Sequence, residues 1–401
     1  MSSVSAHRWS EKYPHLGQGP IPAEPCVSED FYRREIAAVF NTCWLYVARE
    51  EEIAEPGSYK VKRLAFAHTS VIIMRGKDGA VRGFHNVCSH RGNKVVTESG
   101  EETYGHSKAA VLSCRFHGWV YGADGALINV PEEERFYSCF DKQQNGLAPV
   151  HADVWEGFVF VNLAPEPPQS LHDFLSAYGD HMSGYPYAEM DYCYKYHTYL
   201  DCNWKIAHDA FAEAYHVNTI HAGSFPDVFS TGLSDVQLFG PHRTCGVCLN
   251  MNTAPEPVAA IAQKHARGSL VAKAEGTMLP PSINPSARED FAFELSVAFP
   301  NLLLHISEGI WFTHQFWPLA HNKTLWEGKY YVRAPRTNSE RWALEHAQLL
   351  QRNAWLEDTQ TMENTHRAIA SGVKRIINLQ DEEILIRHAH HVIAECMSAA
   401  E

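Results

Sequence analysis

Two short segments carry the first chemistry in this chain: Cys88-Ser-His90 and, after 23 intervening residues, Cys114-Arg-Phe-His117. Each pairs one thiolate donor with one imidazole donor, and each follows an apolar run that reads as a strand, which places the donors on turns. A [2Fe–2S] cluster of mixed ligation takes that inventory, two Cys on one iron and two His on the other, and the neutral imidazoles raise its potential above that of a four-cysteine cluster. A structural zinc ion is the competing occupant. Zinc fingers usually order their ligands as a Cys pair followed by a His pair, whereas here the two types alternate.

A second group lies further on. Asn203 to His216 reads as an amphipathic helix, with Trp204, His208, Phe211 and Tyr215 at i, i+4, i+7 and i+11 on one face and Asp209, Glu213 and His216 on another. The second face is a stripe of two carboxylates and an imidazole, and His221 follows beyond the next turn. Two histidines plus a distant carboxylate make the facial triad of non-haem iron(II) oxygenases, which leaves coordination positions open for dioxygen. The third ligand then has to be an Asp or Glu far along the chain.

The elements that must hold these groups are legible in outline. Residues 59–162 are β-rich, with apolar runs Val71-Ile-Ile-Met74, Val111-Leu112 and Phe158-Val-Phe-Val161, and the pairs Asp78-Gly79 and Asp124-Gly125 favour tight hairpins. The proline cluster Ala164-Pro-Glu-Pro-Pro168 marks a domain boundary. Beyond it strands mix with helices, a long one starting at Ser339-Glu340 and stopping near Gly372. Residues 265–290 lack periodicity and read as a long loop. Cys245-Gly-Val-Cys248 reads as two core thiols, His388-Ala-His-His391 as a solvated helix face, and Trp311 to Trp317 as a core strand that lends side chains to a pocket.

Bulk properties narrow the class. At 401 residues two domains are the default. A net charge of −13 argues against a phosphate backbone as partner, so no nucleic acid is expected. No run of 18 apolar residues and no secretory pattern appear, so the protein is expected in the cytoplasm and off the membrane. Its ten cysteines then read as reduced thiols or metal ligands rather than a disulfide framework. No Gly-x-Gly-x-x-Gly unit is present, so NAD(P)H and flavin are expected on another polypeptide.

Cys88-Ser-His90-Arg91-Gly92 and Cys114-Arg-Phe-His117-Gly118-Trp119-x-Tyr121 resemble the two Rieske loops of ring-hydroxylating oxygenase α subunits. Asn203-Trp204-Lys205 through Glu213-x-Tyr215-His216 and His221 resembles the mononuclear-iron segment of the same family, and Trp355-Leu-Glu357-Asp358 its closing segment. The resemblance implies an α+β protein: a β-rich Rieske domain at 44–165, and a catalytic domain from 1–43 and 166–401 of the helix-grip type, an antiparallel sheet around a long helix. It implies Cys88 and Cys114 on one iron of a [2Fe–2S] cluster and His90 and His117 on the other. It further implies one Fe(2+) held by His216, His221 and Asp358, with Glu357 and Glu363 as alternative third ligands and a surface-facing acidic helix as the reading without metal.

On the same footing, Glu213 with Asp209 forms a polar link behind the mononuclear iron, and Glu213 accepts a hydrogen bond from His117 across a subunit boundary. A homotrimer or an α3β3 assembly is implied, with a ferredoxin or flavin reductase as electron donor and a small organic molecule and O2 as substrates. The implied activity is hydroxylation of an aromatic compound. The family's commoner residue three before the first iron histidine is Asp; Glu213 stands here instead, as in members acting on carnitine-like or betaine-like substrates. Oxidation of an N- or O-methyl or quaternary ammonium compound is therefore the alternative. A Rieske electron carrier without mononuclear iron is a third reading, distinguished by two irons per chain rather than three.

Overall fold

Alternating apolar runs punctuated by Asp-Gly turns build the first unit, residues Phe40–Phe174. The computed structural model describes residues 8–253, 256–262 and 278–400 of the chain. The unit's strands are β1 Leu45–Arg49, β2 Ser58–Leu64, β3 Thr69–Arg75, β4 Val81–His85, β5 Glu102–His106, β6 Val111–Ser113, β7 Val120–Gly122, β8 Leu127–Asn129, β9 Pro149–Trp155 and β10 Phe158–Asn162. Seven of them form an antiparallel sheet in the order β1-β10-β9-β4-β3-β2-β5, and β6-β7-β8 form a smaller one. Both Asp-Gly pairs sit where hairpins need them: Gly79 between β3 and β4 at φ 82°, and Gly125 between β7 and β8 at φ 83°. Val61, Ile72, Met74, Phe84, Leu112 and Trp119 pack into one core cluster, which also contains Cys88 and Cys114. The two Cys/His loops therefore emerge from a packed core.

The second unit gathers the described residues up to Val39 with those from Leu175 onward. Its sheet comprises β11 Tyr192–Leu200, β12 Phe229–Phe239, β13 His242–Leu249, β14 Phe291–Ala298, β15 Leu302–Ser307, β16 Ile310–Ala320 and β17 Lys323–Val332, in the order β11-β17-β16-β15-β14-β13-β12. Its helices include α1 Glu29–Glu35, α2 Trp204–Ala210, α3 Val217–Ile220, α4 Asn338–Ala370 and α5 Ile384–Ala399. Thr337 and Glu340 cap the start of α4 reciprocally, and Gly372 at φ 76° follows its end. Trp355 fastens α4 to the sheet, its ring centroid 4.7 Å from that of His314 and 5.4 Å from that of Tyr196. It also lies over Gly328, where an added Cβ would come within 3.1 Å of the indole. A larger residue at 328 would push helix and sheet apart. This is the grip arrangement that the resemblance implies, a sheet closed against one long helix.

The single helix expected over 203–216 is two. Helix α2 ends at Ala210, residues 211–216 are non-helical, and α3 begins at Val217. The reason is local: Glu213 turns its carboxylate back to accept the backbone N–H groups of Tyr215 and His216, which a continuous helix would give to earlier carbonyls. The proposed stripe of Asp209, Glu213 and His216 on one helix face therefore does not form. Part of the loop expected at 265–290 falls outside the described residues; the part from 278 to 290 is irregular, as expected.

Candidate metal centres

The two Cys/His loops are built alike. In the first, Gly92 N–H closes onto the Cys88 carbonyl at 2.9 Å; in the second, Gly118 N–H closes onto the Cys114 carbonyl at the same distance. Both glycines have positive φ, 77° and 73°, so each loop needs the residue without a Cβ at its closing position. Cys88 and Cys114 are 2% and 1% exposed, whereas His90 and His117 are half-buried, so the sulfur end faces the core and the imidazole end the surface of the unit.

His90 Nδ1 and His117 Nδ1 face one another at 3.1 Å, and His90 stacks on Trp119 with 4.8 Å between centroids. Burial, helped by the neighbouring His117, lowers the pKa of His90 and favours the neutral imidazole that a metal takes. All ten cysteines are unbridged. Among the described residues, the group of three or more donors gathered tightly enough for one ion is His216, His221 and Asp358. The Cys88, His90, Cys114 and His117 donors are spread more widely, which suits a two-iron cluster better than a tetrahedral zinc ion.

Tyr121 supports this site from behind, with its hydroxyl 3.1 Å from Cys88 Sγ and accepting the Ser89 N–H at 3.1 Å. A hydroxyl beside a cluster sulfur raises the reduction potential by offsetting negative charge. Tyr121→Phe is expected to keep the visible spectrum and lower the midpoint potential, which a redox titration followed by absorbance measures. An unchanged potential would remove the hydroxyl from this account.

In the second unit, His216, His221 and Asp358 bring their ligand atoms within 4.8 Å of one another. Asp358 Oδ1 lies 3.6 Å from His216 Nε2 and 3.5 Å from His221 Nε2. Each histidine is oriented by a carboxylate at its other nitrogen. Glu213 accepts from His216 Nδ1, and Glu357 accepts from His221 Nδ1 at 3.0 Å while taking the Ser224 hydroxyl at 2.9 Å. Both Nε2 atoms are thereby turned toward Asp358 with their lone pairs free. Asp358 Oδ1 is buried and has no hydrogen-bond partner, and burial raises its carboxyl pKa to about 7. An orphaned carboxylate oxygen facing two imidazole nitrogens is a poor arrangement for protein alone and a good one for a divalent cation. The donor set fits iron.

Other expected site residues go elsewhere. Glu357 is occupied at His221, and Glu363 accepts the Asp201 N–H at 3.0 Å and pairs with Arg367. Asp209 does not join Glu213: its carboxylate bonds His390 Nε2 at 2.9 Å and lies 3.5 Å from His208 Nδ1. Burial opposes the charge on Asp209, but His390 and His208 outweigh it and hold its pKa well below the usual carboxylate range. His390 therefore serves as a hydrogen-bond partner of Asp209, and His388 donates to the Gly240 carbonyl at 3.0 Å, so these two are not on the solvated face the sequence suggests, while His391 is partly exposed. Arg243, which no spacing singled out, donates to His208 Nε2 at 2.9 Å from β13. Cys245 and Cys248 are buried on β13, as expected for core thiols.

A cavity of about 210 Å³ opens beside the triad, lined by Phe211, Phe225, Phe229, Phe293, Phe312 and Trp355 among others. Phe312 and His314 come from the 311–317 strand, which does lend side chains to the pocket.

The chain matches the ring hydroxylating alpha subunit (catalytic domain) family over residues 187–399 and the Rieske [2Fe-2S] domain family over residues 43–147. It is 28% identical over 198 residues to the carnitine monooxygenase oxygenase subunit of Acinetobacter baumannii, covering 49% of this chain and 51% of that one. It is 31% identical over 206 residues to the benzene 1,2-dioxygenase subunit alpha of Pseudomonas putida, covering 50% and 44%. The chain thus spans about half the length of the curated relatives it matches. A crystal structure of a quaternary ammonium Rieske monooxygenase in complex with an inhibitor superposes with a TM-score of 0.76 at 19% identity, over 94% of this chain and 95% of that one, a likeness of fold. No described helix is long and apolar enough to cross a membrane.

Proposed function

This chain belongs to the ring hydroxylating alpha subunit family, and from that membership we propose a terminal oxygenase component that uses dioxygen and electrons from a separate reductase to hydroxylate an aromatic substrate. The observation that supports this most is the buried, unpartnered Asp358 Oδ1 facing His216 Nε2 and His221 Nε2 at one end of an apolar cavity. In this reading His216, His221 and Asp358 hold iron, and Cys88, Cys114, His90 and His117 hold the [2Fe–2S] cluster. When bound, these groups supply one-electron transfer and a place for dioxygen to be reduced and inserted beside the substrate. The chain's own residues supply position: Glu213 and Glu357 fix the ring orientations of the two histidines, and the aromatic walls seat the substrate and exclude water. The reaction is placed in the cytoplasm, beside a flavin reductase, with or without a ferredoxin.

The test is oxygen uptake and product mass with the iron-loaded protein, a surrogate reductase and an arene panel. Uptake coupled to a product heavier by one or two oxygens supports the reading; iron binding without substrate-dependent uptake across the panel sinks it. A second reading, oxidation of a quaternary ammonium or methyl group, is favoured by Glu213 and by the carnitine monooxygenase relative. Release of formaldehyde or an aldehyde from such a compound would select it.

Glu213 is also assigned the link to the partner subunit's His117 in a trimer or α3β3 assembly. Its carboxylate already accepts from His216 Nδ1 and two backbone N–H groups, so it is a positioning residue rather than a ligand. Glu213→Gln keeps the volume but turns a donor toward His216. With excess iron(II) both metal centres are expected to load, while turnover falls about 10- to 100-fold. Stopped-flow absorbance should show normal cluster reduction and slow substrate-dependent reoxidation. Wild-type turnover would eliminate the link, and loss of the mononuclear iron would make Glu213 a ligand.

A further inference from the structure

Two buried histidines in the cavity wall carry ring nitrogens that no protein group meets. His305 on β15 is 3% exposed and His314 on β16 is fully buried, and the register that pairs Leu303 with His314 and His305 with Phe312 puts both on the same face of the sheet. Trp326 Nε1 donates to His314 Nδ1 at 3.1 Å, which leaves the proton of the neutral ring on Nε2. His314 Nε2 and both ring nitrogens of His305 are buried with no hydrogen-bond partner. His305 is instead held by stacking on Phe312, with centroids 4.6 Å apart and planes 11° from parallel. Burial lowers the pKa of both imidazoles, to about 3 for His305, so neither contributes a positive charge.

The rest of the wall restricts what these nitrogens can meet. Among the described residues that line the cavity there is no Lys or Arg, and its carboxyl groups, Glu213 and Asp358, both belong to the metal end. A substrate carboxylate would be buried there without a cation. A quaternary ammonium would gain aromatic faces but leave the three imidazole nitrogens unmet, since it has no lone pair and no N–H. A neutral oxygen substituent meets two of the three, one on each ring. The ring centroids of His305 and His314 are 5.4 Å apart, a separation that one oxygen about 3 Å from a nitrogen of each ring can span, accepting from His314 Nε2–H and, as a hydroxyl, donating to His305.

We propose that the cavity takes an uncharged aromatic molecule carrying an oxygen substituent, a phenolic hydroxyl or a ring carbonyl, received by His305 and His314. The inference rests on the oxygenase reading for its chemistry but not for its binding. It sets this cavity against a quaternary ammonium substrate by the character of its own wall.

Equilibrium binding to the iron-loaded protein, measured by calorimetry, tests it with four ligands on one skeleton: 2-naphthol, 2-methylnaphthalene, 2-naphthoate and the 2-naphthylmethyl trimethylammonium ion. 2-Naphthol is expected to bind at least about tenfold more tightly than 2-methylnaphthalene, with the two charged ligands weakest. His305→Phe keeps the stacking on Phe312 and breaks no protein hydrogen bond; because the His314 Nε2–H donor remains, it should lower the naphthol-to-methylnaphthalene ratio several-fold without weakening methylnaphthalene. A wild-type ratio near one, tightest binding by either charged ligand, or an undiminished ratio in His305→Phe overturns the proposal. Should His305→Phe not fold, the wild-type ratios and order of the four ligands decide it alone. If the ratio is present and no ligand drives oxygen uptake, the oxygenase reading fails and this one stands; uptake with a ratio near one gives the reverse.

Discussion

Asp358→Ala is expected to leave a folded chain with an intact cluster spectrum, no iron at the mononuclear site and no turnover. Iron analysis should fall by one per chain, and electron paramagnetic resonance of the reduced protein should show the cluster unchanged. The expectation follows from how the three donors are supported. In the proposed site His216 and His221 are neutral ligands, so Asp358 would supply the charge that offsets the cation and the third corner of the triad. Its Oδ1 accepts no hydrogen bond in the protein, so the fold does not depend on it. Metal-free Asp358→Ala should therefore melt no lower than metal-free wild type by more than the cost of a small cavity, while iron(II) raises the melting temperature of the wild type alone. Wild-type iron and activity in Asp358→Ala, together with their loss in Glu357→Ala, would exchange the roles of these two residues.

That exchange could not be settled from the sequence, because Glu357 and Asp358 are adjacent and each is an acceptable ligand. The fold separates them by about 100° of helix rotation, one toward His221 Nδ1 and Ser224, the other into the gap between two Nε2 atoms. The turns of the two Cys/His loops were legible because their determinants are local: a donor pair, a glycine at positive φ and a preceding strand, all within a few residues. The same holds for the two Asp-Gly hairpins and the capped long helix.

Periodicity misled where a side chain intercepts the backbone. Trp204, His208, Phe211 and Tyr215 keep helical spacing, yet Tyr215 is 58% exposed because Glu213 takes the N–H groups that would have continued the helix. The cavity was hidden for another reason. His305, Phe293 and Val247 line it from strands other than the 311–317 run, and their relation depends on strand order and register, which no spacing within one segment encodes. His390 is similar: its partner Asp209 is 181 residues away.

The cluster ligands provide the other large effect. Removing either Cys88 or His117 should abolish the visible absorption of the purified protein, lower iron by two per chain with acid-labile sulfide lost in parallel, and end turnover, while the mononuclear site still binds iron(II). In the proposed cluster each loop contributes one thiolate and one imidazole, so a change in either loop would open one iron of the pair. The two variants should differ in how the protein bears the loss. Cys88 is 2% exposed and packed in the core with Val61, Ile72 and Phe84, and its sulfur meets the Tyr121 hydroxyl at 3.1 Å. Cys88→Ala thus leaves a small core void, costing about 1–3 kcal/mol, while the Tyr121 hydroxyl keeps the Ser89 N–H and hydroxyl as partners. His117 is half-buried at the surface of its unit, so His117→Ala should cost the cluster with a smaller change in the stability of the apo chain. Chemical denaturation of the two apo variants measures that difference. A colourless wild type holding one zinc per chain would overturn the cluster assignment, and a normal Rieske spectrum in either variant would remove that residue from the ligand set.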